Sequence, residues 1–141
     1  MKNLTILTSG AHGGYGGIDK YVKNIIDALA QKKNIFKINI FSKNYIYLNK
    51  KNLTIKTSKN YYPFLIFRNI INIYKSDLII VTHINLIVYL FFLFSSNKKI
   101  LLFSYGLDIW GGRKNFFYQI FIKKIKYFIS MREYTLNKQK Q

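Results

Sequence analysis

The run Asn3-Leu4-Thr5-Ile6-Leu7-Thr8-Ser9-Gly10-Ala11-His12-Gly13-Gly14-Tyr15-Gly16-Gly17-Ile18-Asp19-Lys20-Tyr21-Val22 decides the fold. Its first six residues form an apolar run that meets a glycine cluster, the pattern of a buried strand and its turn. Beyond the glycines, Ile18, Tyr21, Val22, Ile25, Ile26 and Leu29 recur at helical spacing, with Lys20, Lys23, Asn24 and Asp27 on the other face. Asp19 falls in the first turn, where a carboxylate suits the helix dipole. Glycines let backbone N–H groups approach an anionic oxygen, and a helix N-terminus favours negative charge there.

Outward from this unit, strand and helix patterns alternate. Asn34–Ser42 reads as a second strand, and Tyr45–Leu48 and Leu53–Lys56 as short strands. Tyr62–Tyr74 has helical spacing, with Pro63, the only proline, in its first turn. Asp77–His83 is a β-branched run of the kind found in central parallel strands. A helix over Ile84–Ser95, a strand over Lys99–Ser104, a basic aromatic helix over Asn115–Lys126 and a short strand over Tyr127–Met131 follow. The expectation is one α/β domain over residues 1–131: a Rossmann-like, mostly parallel sheet with helices on both faces. Residues 132–141 read as a polar, basic end. In such sheets ligands bind at the carboxyl ends of the strands, near the point where strand order reverses.

Composition narrows the chemistry. The chain has 141 residues, half of them hydrophobic, enough for a core of its own. It has no cysteine, which excludes disulfides and thiolate metal sites. No metal site and no cofactor is expected. The net charge is +18, from 23 Lys and Arg against 5 Asp and Glu. That balance suits anionic partners. AT-rich codons are a competing source, because Lys, Asn, Ile, Tyr and Phe are all abundant. The start of the chain does not read as a secretory leader. The longest apolar run, Ile84–Phe94, is shorter than the roughly 20 residues of a membrane-spanning helix. It reads as a buried helix, with a membrane-associated segment as the lesser alternative.

Three segments carry candidate chemistry. The glycine loop is not a phosphate-binding P-loop, since no Gly-Lys-Ser/Thr follows. It is not a dinucleotide fingerprint, since Asp19 occupies the third glycine position. The second strand also ends in Phe41-Ser42-Lys43, without the acid that would take a ribose. A ligand-free turn remains the competing reading. His83 follows the Asp77–Thr82 run and is either a ligand contact or a structural strand-end residue. Phe103-Ser104-Tyr105-Gly106-Leu107-Asp108-Ile109-Trp110-Gly111-Gly112 interrupts an apolar strand with polar groups. Asp108 could accept from sugar hydroxyls and Trp110 could stack on a sugar face. A tight turn with a capping Asp is the alternative.

Four segments in order resemble the N-terminal domain of glycosyltransferase family 4, an enzyme family of the GT-B type. Gly16-Gly17-Ile18-Asp19-Lys20-Tyr21-Val22 with Ile25-Ile26-Asp27-Ala28-Leu29 is similar to its Gly-Gly loop and first helix. Asp77–His83 resembles its strand ending near a histidine. Tyr105–Trp110 resembles its His-Gly-x-Asp-x-Trp segment, and Arg132-Glu133-Tyr134-Thr135 its Ser-Glu-Tyr-Thr.

The resemblance implies an acceptor-binding domain. Gly16, Gly17, Asp19, His83, Tyr105, Gly106 and Asp108 would contact acceptor or donor phosphate. A nucleotide-sugar donor would bind only with a second domain or chain, and the acceptor would be a glycan or a lipid-linked molecule. No residue is assigned as catalytic. Tyr105 replaces the family histidine with a phenol that titrates near pH ~10, and Arg132 replaces a serine. The single glutamate, Glu133, cannot supply the family's paired glutamates. The expectation is therefore an incomplete enzyme, inactive alone and cytoplasmic. Lys123, Lys124 and Lys126, beside Phe117, Ile120, Phe121 and Ile125, are candidates to face the inner membrane surface, against a plain core helix with a solvated lysine face. The alternative function is a non-catalytic basic module on an anionic membrane or nucleic acid. Nucleic acid is the less favoured partner, since no zinc spacing, RNA-binding aromatic signature or helix-turn-helix is present.

Overall fold

Leu4, Thr5, Ile6, Leu7 and Thr8 are all buried, as a strand with cover on both faces must be. They lie in β1 (Lys2–Thr8). In the computed structural model, which describes residues 1–10, 17–32, 34–93, 96–104, 120, 123, 125 and 127–130, β1 is the centre of a six-stranded sheet. The other strands are β2 (Phe36–Ser42), β3 (Leu53–Thr57), β4 (Leu78–Val81), β5 (Lys99–Ser104) and β6 (Tyr127–Ser130). Their order is β3-β2-β1-β4-β5-β6, and every pairing is parallel. This is the Rossmann-like, doubly wound arrangement expected.

Helix α1 (Gly17–Gln31) links β1 to β2. Its Val22, Ile26 and Ala30 pack with Leu4, Ile6, Ile38, Ile40, Ile80 and Phe103 on one face of the sheet. The other face carries Leu7, Phe41, Ile79, Val81 and Leu102 under α2 (Tyr62–Arg68), α3 (Ile70–Tyr74) and a 3-10 segment (Ile84–Leu93). Alternate strand residues feed opposite layers, as the two-residue strand period requires.

Three expectations on local structure are corrected. Residues 45–48 form no strand. They belong to the connection from β2 to β3, where Ile46 is buried against the α1 layer. The helix expected over Tyr62–Tyr74 breaks at Asn69. The Asn69 amide donates to the Leu65 carbonyl at 2.8 Å and its oxygen accepts from Lys56 Nζ at 2.6 Å. A side chain that takes the carbonyl four residues back competes with the helix ladder. The segment after β4 is 3-10 rather than α, with non-helical backbone at Leu90. Its Ile84, Leu86, Ile87, Leu90 and Leu93 are buried, so tertiary packing holds a geometry that is seldom long in isolation. No helix among the described residues is long and apolar enough to cross a membrane.

Ile6 is fully buried in the core layer beneath α1. Ile6→Ala is expected to lower unfolding free energy by about 2–5 kcal/mol, whereas Phe67→Ser, at a 67% exposed site, should change it by no more than about 0.5 kcal/mol. Urea titrations of the two variants check the contrast.

Candidate functional site

The strand order reverses between β1 and β4, so the carboxyl ends of these strands flank the crevice where doubly wound sheets hold ligands. Apolar strands stop here at hydroxyl residues: Thr8, Ser42 and Thr82 are all buried. Thr8 Oγ1 donates to the Gly10 carbonyl at 2.8 Å and accepts from Gly10 N–H at 3.2 Å. This reciprocal pair turns the chain sharply out of β1. Lys43 and Asn44 N–H donate to the Thr8 and Ser9 carbonyls, so β1 and β2 stay tied past their ends. Thr82 N–H donates to the Leu7 carbonyl at 3.0 Å and ties β4 in as well. The Thr82 Oγ1 itself is buried and has no hydrogen-bond partner among the described residues. A buried, unpaired hydroxyl costs roughly 1–3 kcal/mol.

His83 stands beside Thr82, half-buried at the same edge. Its Nδ1 accepts from Asn85 N–H at 3.2 Å. With Nδ1 occupied as an acceptor, the neutral ring carries its proton on Nε2. Asp19 sits half-buried in the first turn of α1. Its carboxylate already complements the positive end of the helix dipole. That weakens the case for a phosphate at this terminus and favours hydroxyl groups as ligands. Tyr21, half a turn further, meets Phe103 edge to face at 5.8 Å, which joins the start of α1 to the end of β5.

Sequence reasoning missed a cluster on the rim. Lys43 Nζ lies 5.6 Å from the Tyr62 ring centroid and 5.8 Å from that of Tyr89, within cation–π range. The two rings meet edge to face at 5.2 Å. Tyr62 is buried and donates its hydroxyl to the Phe41 carbonyl at 3.1 Å. Burial, then the neighbouring Tyr89, push its phenol pKa far above the ordinary range, with a smaller opposing effect from the Thr8 backbone. No local sequence signal marks this cluster, because its members come from three separate connections.

Of the expected site residues, Gly17 begins α1, and Asp19 and His83 lie at the carboxyl edge of the sheet. Gly16, Tyr105, Gly106 and Asp108 lie outside the described residues, as do Lys124 and Lys126. Lys123 is exposed. Among the described residues no three acidic or histidine side chains come together to hold a metal. A cavity of about 360 Å³ is found elsewhere, over β1 to β3 and beside α3.

The architecture is an α/β domain built on a six-stranded parallel sheet. The chain is similar to a solved α-glucosyltransferase in complex with UDP and a 13-mer DNA containing a central A:G mismatch, with TM-score 0.58 and 11% identity. The likeness covers 94% of this chain and 38% of that one, so the chain spans well under half the length of the enzyme it matches. At this identity the likeness speaks to fold. No family model matches the chain, and no curated protein matches it.

The folded pKa of Tyr62 is raised, so the folded state keeps a proton that the unfolded chain releases above pH about 10. Its contribution to stability is whole below that pH and is lost as pH rises. The urea midpoint is expected to fall more steeply above pH about 10 in the parent than in Tyr62→Phe.

Proposed function

We propose that this chain is the acceptor-side domain of a glycosyltransferase that uses a nucleotide-sugar donor and a glycan or lipid-linked acceptor. The observation that carries the reading is the crevice between β1 and β4, edged by Thr8, Thr82, His83 and Asp19 in a domain of glycosyltransferase-like fold. Asp19 would accept from acceptor hydroxyls. Nε2–H of His83 and the Thr82 hydroxyl would donate to acceptor oxygens. Gly16, Gly17, Tyr105, Gly106 and Asp108 would complete the surface. The donor would be held by a second domain or chain, and transfer would need both. The similar enzyme's ligands, UDP and DNA, both carry phosphates, and a chain of net charge +18 suits an acceptor with anionic groups.

The test is amide-resolved NMR titration of the chain with glycans, short-chain lipid-linked glycans, a single-stranded oligonucleotide and UDP. An acceptor glycan or glycolipid is expected to shift Thr8–Gly10 and Thr82–His83, and His83→Ala should weaken it about tenfold. UDP alone should leave those residues unmoved. If no glycan or glycolipid moves them, the acceptor reading is wrong.

A basic module on an anionic membrane is the second reading, and one surface favours it. Tyr61, Phe64, Phe67, Ile71 and Tyr74 are all more than half exposed, along α2 and α3 on both sides of the break at Asn69. Lys59, Arg68 and Lys75 flank them, and residues 58–76 contain no acid. Aromatic groups beside cations suit an anionic interface. Phe64→Ser with Phe67→Ser should then abolish sedimentation with phosphatidylglycerol vesicles. Unchanged sedimentation would remove the α2–α3 surface from consideration.

A further inference from the structure

The cavity of about 360 Å³ lies away from the crevice. It is lined by Asn3, Lys37, Asn39, Phe41, Thr54, Lys56, Asn72 and Lys75. Its floor is the face of β1, β2 and β3 that alternates into the α2–α3 layer. Asn3 pairs with Lys37, Asn39 with Thr54 and Phe41 with Lys56 in the strand register. One wall is α3 and the turn after it, which supply Asn72 and Lys75. Helices α2 and α3 cover Leu7 and Phe41, whereas Asn3, Lys37 and Asn39 of the same strands are not buried.

Ligand pockets in proteins are mostly apolar with a few polar groups. This one inverts that balance. Three lysines and three asparagines line it, and none of its lining residues is an acid. Both ion pairs among the described residues use Asp27, with Lys23 and Lys50. Lys37 and Lys75 thus have no carboxylate partner there, and Lys56 Nζ is held only by the neutral Asn69 oxygen at 2.6 Å. The side chains of Asn3, Asn39, Thr54 and Asn72 make no hydrogen bond to a described residue. Asp77 is the one acid near the lip, and its Oδ2 accepts from Asn3 N–H at 2.7 Å. Three ammonium groups around a concave polar floor concentrate positive potential.

We propose that this cleft is a binding site for a phosphate group, separate from the acceptor crevice and independent of the glycosyltransferase reading. The lysines supply charge and charge-assisted hydrogen bonds, and the asparagine amides and Thr54 hydroxyl supply neutral donors. The phosphate is carried either by a soluble phosphate ester or by a lipid headgroup. The second source is raised by Ile71 and Tyr74, exposed apolar neighbours of Asn72 and Lys75.

The experiment titrates the whole chain with inorganic pyrophosphate, read by backbone and asparagine side-chain amide shifts. Saturable shifts on β2, β3 and Asn72 are expected. Lys37→Gln, Lys56→Gln and Lys75→Gln together should weaken binding roughly tenfold or more. Lys2→Gln, Lys32→Gln and Lys51→Gln remove the same charge from exposed positions outside the cleft and should change it less than about twofold. Circular dichroism confirms that both triple variants are folded. A second arm uses phosphatidylglycerol and phosphatidylcholine vesicles. Retention on the former alone, displaced by pyrophosphate, supports the site with a headgroup as its source. Pyrophosphate binding without vesicle retention supports it with a soluble ester. Equal weakening in the two triple variants, or shifts scattered over the surface, overturns the proposal.

Discussion

Strand β1 is hydrogen-bonded along both edges, to β2 from Lys2 to Thr8 and to β4 from Leu4 to Leu7. It is also covered on both faces. A strand so placed has nowhere to turn within the sheet. The chain must leave its carboxyl end upward, cross a layer and return, and a right-handed crossover sends it first to the β2 side. The later connection through α2 and α3 brings β4 back to the other edge of β1. The crevice at Thr8 and Thr82 is the geometric consequence of those two departures. The amino end of β1 is tied as firmly: Asn3 and Asp77 exchange bonds of 2.7 and 2.8 Å. Thr5 Oγ1 also shares a bond of 2.7 Å with the buried Ser76.

The carboxyl edge gains rigidity from Tyr62. Its hydroxyl holds the Phe41 carbonyl, and its ring, with that of Tyr89, lies under the Lys43 ammonium. The phenol is buried where a tyrosinate would be costly, so it remains a donor over the ordinary pH range. Lys43 follows β2 at the place where a nucleotide-binding Rossmann domain puts a ribose-binding acid. A cation fixed over two rings suits a different ligand there, one that carries negative charge.

The sheet was legible in the sequence because its strands are apolar runs bounded by glycine or polar turns, as at Leu4–Thr8 and Leu78–Val81. The parallel sheet followed from strand–helix alternation, whereas alternation alone does not set the strand order that places the switch point. Asn69 was not legible as a break, because its competing bonds to Leu65 and Lys56 depend on β3 lying beneath it. The run at Tyr45–Leu48 has strand composition, but Ile46 satisfies it by packing from an irregular connection. At the site, Asp19 and His83 could be placed by their neighbours in sequence. Thr82 could have been found by its place beside His83, whereas the Lys43–Tyr62–Tyr89 cluster and the lysine cleft exist only once separate strands are in register. Lys37 and Asn39 read in isolation as the solvated alternate positions of β2.

The distribution of acids narrows what the crevice can bind. Three carboxylates fall among the described residues. Asp27 serves Lys23 and Lys50, at 3.8 and 2.9 Å. Asp77 is used by the Asn3 amide. Asp19 alone of the three has no hydrogen bond or ion pair with another described residue, and it stands at the carboxyl edge of the sheet. In a chain this basic, a half-buried carboxylate with no lysine partner among the described residues stands out from the surrounding charge. It cannot assist a phosphate placed against it, because like charges repel. It can accept hydrogen bonds from hydroxyl groups. The charge pattern thus sets the Asp19 carboxylate at the carboxyl edge apart from the lysine-lined cleft over β1 to β3.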